Sequence, residues 1–255
     1  MVVHFVGAGP GAADLLTVRA TRLLAEADVV LYPGTYLDPQ VLDHVSPQAE
    51  LVDTQHLDLD RITERLTAAH HEGKDVVRLT SGDLSVYSAL AEQTRRLDAA
   101  GVAWDATPGV PAYAAAAAAV GRELTVPLVA QSVVLTRTRA RSSPMPATEA
   151  LSAYAATRAT LVLHLAITRT RELMAELEPE YGADCPVVVV YRASQPGEVV
   201  LHGTVATIAD AVEAAALRQA AVILVGRALD PRPGGESFLY DPRRDRRVPP
   251  GQPRT

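Results

Sequence analysis

The chain has 255 residues, enough for one large domain or two modest ones, and its 48% hydrophobic and 21% charged residues are ordinary for a soluble globular protein. A formal net charge of −6 argues against a nucleic-acid binder, which needs a basic surface to meet phosphate. The lone cysteine, Cys185, rules out an internal disulfide and fits a reducing compartment.

In chain order, Val2 to Val6 reads as a buried strand with no charged leader before it, which predicts a cytoplasmic protein. A helix follows over Val18 to Ala27, with Ala20, Leu23, Leu24 and Ala27 on one face. Strands are predicted at Asp28 to Tyr32, broken by Pro33-Gly34, and at Glu50 to Asp53. A helix from Asp60 to Glu72, a strand from Asp75 to Leu79, a helix from Val86 to Ala100 and a strand from Val102 to Ala106 continue the alternation. Repeated βα units predict a parallel sheet with helices on both faces. The alanine run Ala114 to Ala119, bounded by Pro111 and Gly121, reads as a helix too short to cross a membrane.

Beyond Gly121 the pattern changes. Strands are predicted at Gln131 to Arg137, Thr160 to Leu165, Pro186 to Tyr191 and Ala221 to Gly226, with helices at Thr168 to Leu177 and Ile208 to Leu217. Val199 to Val205 follows Pro196-Gly197 and reads as an antiparallel hairpin partner. The expectation is an α/β protein of two domains, residues 1–120 with a mainly parallel sheet and 121–231 with a mixed one. A proline- and arginine-rich tail over 232–255 follows, in which Arg243, Arg244, Arg246 and Arg247 read as solvated charge.

Three loops carry the chemistry. Gly7-Ala8-Gly9-Pro10-Gly11, Ser81-Gly82-Asp83 and Thr107-Pro108-Gly109-Val110-Pro111 each follow a predicted strand, which puts them on the carboxyl edge of one sheet, where α/β proteins bind ligands. The first matches the dinucleotide fingerprint formally, yet Pro10 removes an amide, the helix starts only after Asp14, and no acid ends the second strand to hold a ribose. Glycine and aspartate suit any tight turn, so Ser81-Gly82-Asp83 is functional only through its company. Scattered histidines and a single cysteine offer no metal-ligand spacing, and no G-x-S-x-G elbow seats a hydrolytic serine. His164, inside an apolar stretch, reads as a core histidine. Arg137, Arg139 and Arg141 alternate with small residues. They suit either a ligand with several carboxylates or a solvated loop with surface ion pairs.

The stretch His4-Phe5-Val6-Gly7-Ala8-Gly9-Pro10-Gly11-Ala12-Ala13-Asp14-Leu15-Leu16-Thr17 resembles the opening of the tetrapyrrole methylases. Leu31-Tyr32-Pro33-Gly34, Ser81-Gly82-Asp83 and Pro108-Gly109-Val110-Pro111-Ala112 extend the resemblance. Arg122-Glu123-Leu124-Thr125-Val126-Pro127, Leu135-Thr136-Arg137-Thr138 and Tyr181-Gly182-Ala183-Asp184-Cys185-Pro186 resemble the branch that methylates C-11 of precorrin-4 in cobalamin biosynthesis.

That resemblance implies two α/β domains with a ligand cleft, a homodimer, and S-adenosylmethionine as methyl donor, leaving as S-adenosylhomocysteine. It transfers donor contacts to Pro10, to Gly82, Asp83, Val86 and Tyr87, to Pro111 and Ala112, to Leu165 and Ala166, to Arg192 and Ala193, and to Thr204. The implied substrate is precorrin-4 or cobalt-precorrin-4, its acid arms held by Arg137, Arg139 and Arg141. No metal ligand and no catalytic base is assigned. One position departs: the family's second loop reads Gly-Asp-Pro, and here Leu84 replaces the proline. That predicts a loss of about 0.4–1 kcal/mol of loop preorganisation and added bulk beside the donor. A methylase of another tetrapyrrole position is the enzyme alternative, and a protein that carries tetrapyrroles without methylating them is the non-enzyme alternative.

Overall fold

The β-branched runs assemble into two sheets in a computed structural model, which describes residues 1–34, 37–138, 144–230, 236–238 and 241–243. The chain forms two units, the first made of Met1–Gly121, Val189–Leu201 and Ala216–Val222, the second of Arg122–Val188, His202–Ala215 and the chain from Ile223 on.

In the first unit β1 (Val3–Gly7), β2 (Val29–Tyr32), β3 (Glu50–Asp53), β4 (Val76–Thr80) and β5 (Trp104–Thr107) lie in the order β3-β2-β4-β1-β5, every pair parallel. Helices α1 (Val18–Glu26), α2 (Leu59–His71), α3 (Leu90–Ala99) and α4 (Ala112–Ala119) accompany them. A strand's side chains alternate between faces, and both faces of a parallel sheet are covered. Val3, Phe5, Val29, Leu31 and Val76 point to one side and pack with Ile62 and Leu66 of α2 and Leu97 of α3. Val6, Val30, Val77 and Leu79 point to the other and pack with Ala20 and Leu24 of α1. Thr17 caps α1 by accepting from Ala20 N at 3.1 Å, and Asp58 caps α2 by accepting from Arg61 N at 2.8 Å.

The strand order places the site. From β1 the chain leaves toward β2 on one side, and from β4, its neighbour, it crosses to β5 on the other. The two connections pass each other on opposite faces of the sheet, so the loops after β1 and β4 start side by side at the carboxyl ends of these central strands, the edge where α/β proteins bind ligands.

The second sheet runs β6-β7-β10-β8-β9, built from β6 (Val133–Arg137), β7 (Thr160–His164), β8 (Pro186–Tyr191), β9 (Val199–Thr204) and β10 (Ala221–Val225). β6 and β7 are parallel, β7 and β10 antiparallel, so the sheet is mixed as expected. β9 lies beside β8 at the edge. Helices α5 (Leu151–Ala155), α6 (Thr170–Tyr181) and α7 (Ile208–Ala214) complete the described elements, α5 being one the sequence pattern does not announce.

Two boundaries move by four residues, α6 running on to Tyr181 where an end at Leu177 is expected. The helix expected from Val86 starts at Leu90, because Tyr87 (φ 54°) and Ala89 (φ 55°) adopt left-handed backbone that no α-helix passes through.

Candidate active site

The three glycine loops meet through their backbones. Gly9 N donates to Gly82 O at 3.1 Å and Gly82 N to Gly9 O at 2.7 Å, an antiparallel bridge between the loops after β1 and β4. Both residues have positive φ, +74° and +70°, which glycine alone adopts freely. A methyl group on Gly7 would lie 2.5 Å from Gly109 N and 2.8 Å from Gly82 O, so the loop after β5 presses on the other two. Only a single turn of 3-10 helix, Ala13–Leu15, precedes α1, so α1 does not begin at the first loop as the dinucleotide fingerprint requires.

Asp83 holds two of these loops together. Its Oδ1 accepts from Ser85 N at 2.9 Å and from the Ser85 hydroxyl, and its Oδ2 accepts from Gly109 N at 2.9 Å. Partial burial pushes the carboxyl up, but hydrogen bonds from the Ser85 side chain and from the backbone of Ser85, Gly109 and Leu84 outweigh it and hold the group below the usual carboxylate range. Asp83, expected to touch the donor, thus has both oxygens engaged in shaping the loop.

Leu84 corrects another expectation. Its side chain is buried with Phe5, Leu31, Leu66 and Leu97, beneath the sheet edge rather than against a ligand. The residue also offers the Asp83 carboxylate a backbone N–H, which the family's proline lacks.

Beneath the loop, Arg78 of β4 is buried with three neutral partners: Nε donates to Gln93 Oε1, and Nη1 to Thr54 Oγ1 and to Leu79 O, each at 3.1 Å. Burial lowers its pKa to about 10. Arg78→Ala strips partners from Gln93 and Thr54 and leaves a cavity, so it is expected to cost about 2–4 kcal/mol in a denaturant or thermal melt.

A fourth stretch of the same unit reaches the first loop. Gln195 Nε2 donates to Pro10 O at 2.7 Å, and Ser194 Oγ accepts from Ala12 N at 3.2 Å. Pro10, Gly82, Asp83 and Ala112 are thereby gathered, Gly82 facing Ala112 N across 3.7 Å of space measured from a would-be Cβ. Val86 and Tyr87 follow on the second loop, Pro111 precedes α4, and Arg192 and Ala193 adjoin Ser194. A cavity of about 850 Å³ opens beside this contact, lined by Asp14, Asp38, His44 and Gln195 among others. Its two carboxylates give it the wrong sign for a polycarboxylate ligand.

In the second unit β6 and β7 end together, Arg137 opposite His164. Leu165 follows with φ 53° and 60% of its surface exposed, its carbonyl accepting from Thr138 Oγ1 at 3.4 Å, while Ala166 is buried. Burial holds the His164 imidazole below the usual histidine range, so it is neutral at pH 7. Thr204 ends β9 at the far edge of the sheet, its N–H donating to Thr207 Oγ1 at 2.9 Å, and is not brought beside Leu165. Arg139 and Arg141 lie outside the described residues.

Nine described non-glycine residues have positive φ, and three of them are expected site residues. Tyr87, Leu165 and Arg192, with Ser194 beside the last, are non-glycine residues with φ between 50° and 66°. Such conformations cost of order 1–3 kcal/mol each and cluster at ligand sites. No sequence motif marks them, nor Ser85, Arg78 or Gln195.

The model of the Tetrapyrrole (Corrin/Porphyrin) Methylases matches residues 2–209. The chain belongs to that family. Among tetrapyrrole methylases, a precorrin-4 C(11)-methyltransferase of Sinorhizobium is 52% identical over 97% of this chain and 98% of its own. The X-ray structure of a cobalamin biosynthetic enzyme, cobalt precorrin-4 methyltransferase, aligns with a TM-score of 0.87 at 39% identity, covering 90% of this chain and 96% of that one. A uroporphyrin-III C-methyltransferase from Thermus thermophilus, solved in complex with S-adenyl homocysteine, aligns at 0.73 and 29% identity, covering 90% and 99%. This tetrapyrrole methylase therefore shares its family's fold along nearly its whole length.

Proposed function

We propose that the chain transfers a methyl group from S-adenosylmethionine to C-11 of precorrin-4 or cobalt-precorrin-4, giving the precorrin-5 stage of cobalamin biosynthesis. The observation that carries the donor half is the junction of glycine loops at the carboxyl ends of β1, β4 and β5, held by the Asp83 carboxylate. The names of the relatives at 52% and 39% identity support the substrate half.

The donor supplies a methyl group on a sulfonium, already a good leaving group. What remains for the protein is to align methyl and ring carbon and to exclude water. The junction suits alignment because Gly82 presents bare main chain, with no side chain to keep a ligand at a distance. Pro10, Gly82, Asp83, Val86, Tyr87, Pro111, Ala112, Leu165, Ala166, Arg192, Ala193 and Thr204 are proposed around the donor, Asp83 acting through the loop. Arg137, Arg139 and Arg141 are proposed to hold the acid arms of the macrocycle. A two-domain division near residue 121, a tail over 232–255 and a cytoplasmic location, read from the sequence pattern and composition, belong to the same proposal, as does a homodimer, which rests on the family resemblance.

Titration with S-adenosylhomocysteine by calorimetry tests the donor half; micromolar binding or better is expected, and no detectable heat at several temperatures would sink it. Incubation of substrate with S-adenosylmethionine tests the whole, since a carrier protein would leave the product mass unchanged. Arg137→Ala is expected to weaken tetrapyrrole binding about tenfold while leaving S-adenosylhomocysteine affinity unchanged, the loss expected for one charge-assisted contact. Equal loss of both affinities would make the arginine structural.

A further inference from the structure

We propose that Gln195 is a positioning residue for the methyl donor: it ties the Pro10–Gly11 turn to the Arg192–Ala193 stretch, so that two parts of the donor site are held as one. The inference rests on the donor reading above and adds to it a residue outside the contact set.

Both ends of the Gln195 amide are used. Nε2 donates to Pro10 O at 2.7 Å, across 185 residues of sequence, and Oε1 accepts from Arg192 Nε at 3.3 Å. A second tie runs alongside, from Ala12 N to Ser194 Oγ at 3.2 Å. The Gln195 end is itself braced: Gln195 N donates to Arg192 O at 2.9 Å, Glu198 N to Gln195 O at 3.0 Å, and Ser194 N to Glu198 Oε2 at 2.7 Å.

Two further observations point to a built contact. Gly11 has φ +151°, and a methyl group there would fall on the Gln195 side chain, so the turn accepts this amide only because residue 11 has none. Arg192 and Ser194 stand at φ 50° and 66°, conformations that persist only where their surroundings over-determine them. Proline at position 10 offers no N–H, so the carbonyl that Gln195 seizes is the one backbone group by which that residue can be anchored. Free to rotate, the Pro10 peptide would present a different surface to the donor, and the loss would appear in donor affinity rather than in the global fold.

Gln195→Glu keeps the side chain's length and sets a carboxylate oxygen against the Pro10 carbonyl. At pH 7 it is expected to weaken S-adenosylhomocysteine binding about tenfold in calorimetry, with a thermal midpoint close to the parent's. Relative to the parent at each pH, its affinity recovers only as pH falls to about 4 and below, where the carboxyl is protonated and can again donate. Gln195→Met, which never donates, stays weak throughout. Parent-like binding by both variants overturns the proposal. So does a loss that tracks a fallen midpoint and shows no recovery with acid, which would make the residue merely structural. Absence of binding by the parent chain is a different result: it removes the donor reading itself, and the proposal with it.

Discussion

Asp83→Ala is expected to weaken S-adenosylhomocysteine binding by roughly thirtyfold, about 2 kcal/mol once charge-assisted hydrogen bonds are discounted for partial exposure. The variant frees Gly109 N, Ser85 N and the Ser85 hydroxyl together, so the loops after β4 and β5 lose their common anchor. Asp83→Asn keeps one acceptor oxygen and should fall between parent and alanine. The same group sets an acid limit. Its folded-state pKa lies below the ordinary 3.8, so its stabilisation is complete above that value and is lost as pH falls through the folded value. Donor affinity should therefore be insensitive to Asp83 across neutral pH, and a fall centred near pH 6 or 7 would contradict this assignment.

The second large effect concerns Gly109. A methyl group there would lie inside contact distance of Gly82 O and 2.7 Å from both the carbonyl carbon and oxygen of Gly7, all backbone atoms that cannot swing aside. Gly109→Ala is expected to cost about 3 kcal/mol or more in equilibrium unfolding, at the upper end of overpacking penalties, and to abolish measurable donor binding. Gly82→Ala provides the contrast. Its Cβ would meet only Ala112 N, at 3.7 Å, so the cost is the conformational one of φ +70°, about 1–2 kcal/mol. Near-equal destabilisation by the two substitutions would show that conformation rather than crowding governs the junction.

Much of the fold is legible in the residues because strands and breakers are local. Glu50–Asp53 and Pro186–Tyr191 emerge with the bounds their composition predicts, since charged or proline-rich turns flank them on the chain. The start of α3 is not legible. Tyr87 and Ala89 are ordinary residues driven into left-handed backbone by the packing of the loop, and composition carries no mark of that. Leu84 misleads for a related reason: its place in the loop suggests a ligand neighbour, whereas alternation along the turn delivers its side chain to the core. Ser85 and Gln195 carry no signal in the sequence because their partners, Asp83 and Pro10, become meaningful only once the loops are folded. Glycine spacing exposes where main chain must come close, but not which side chain then secures it.

The backbone junction has a consequence for how the protein acquires its activity. Gly9 joins Gly82, and Gly7 touches Gly109, through groups separated by most of the first unit's sequence. Such closures carry a large loop entropy and belong to parallel pairings that form slowly. No early hairpin or isolated βα fragment holds even half of the junction. Helical signal can return early in refolding, but affinity for the donor must wait until β1, β4 and β5 stand side by side, which makes ligand capture a late reporter of native topology.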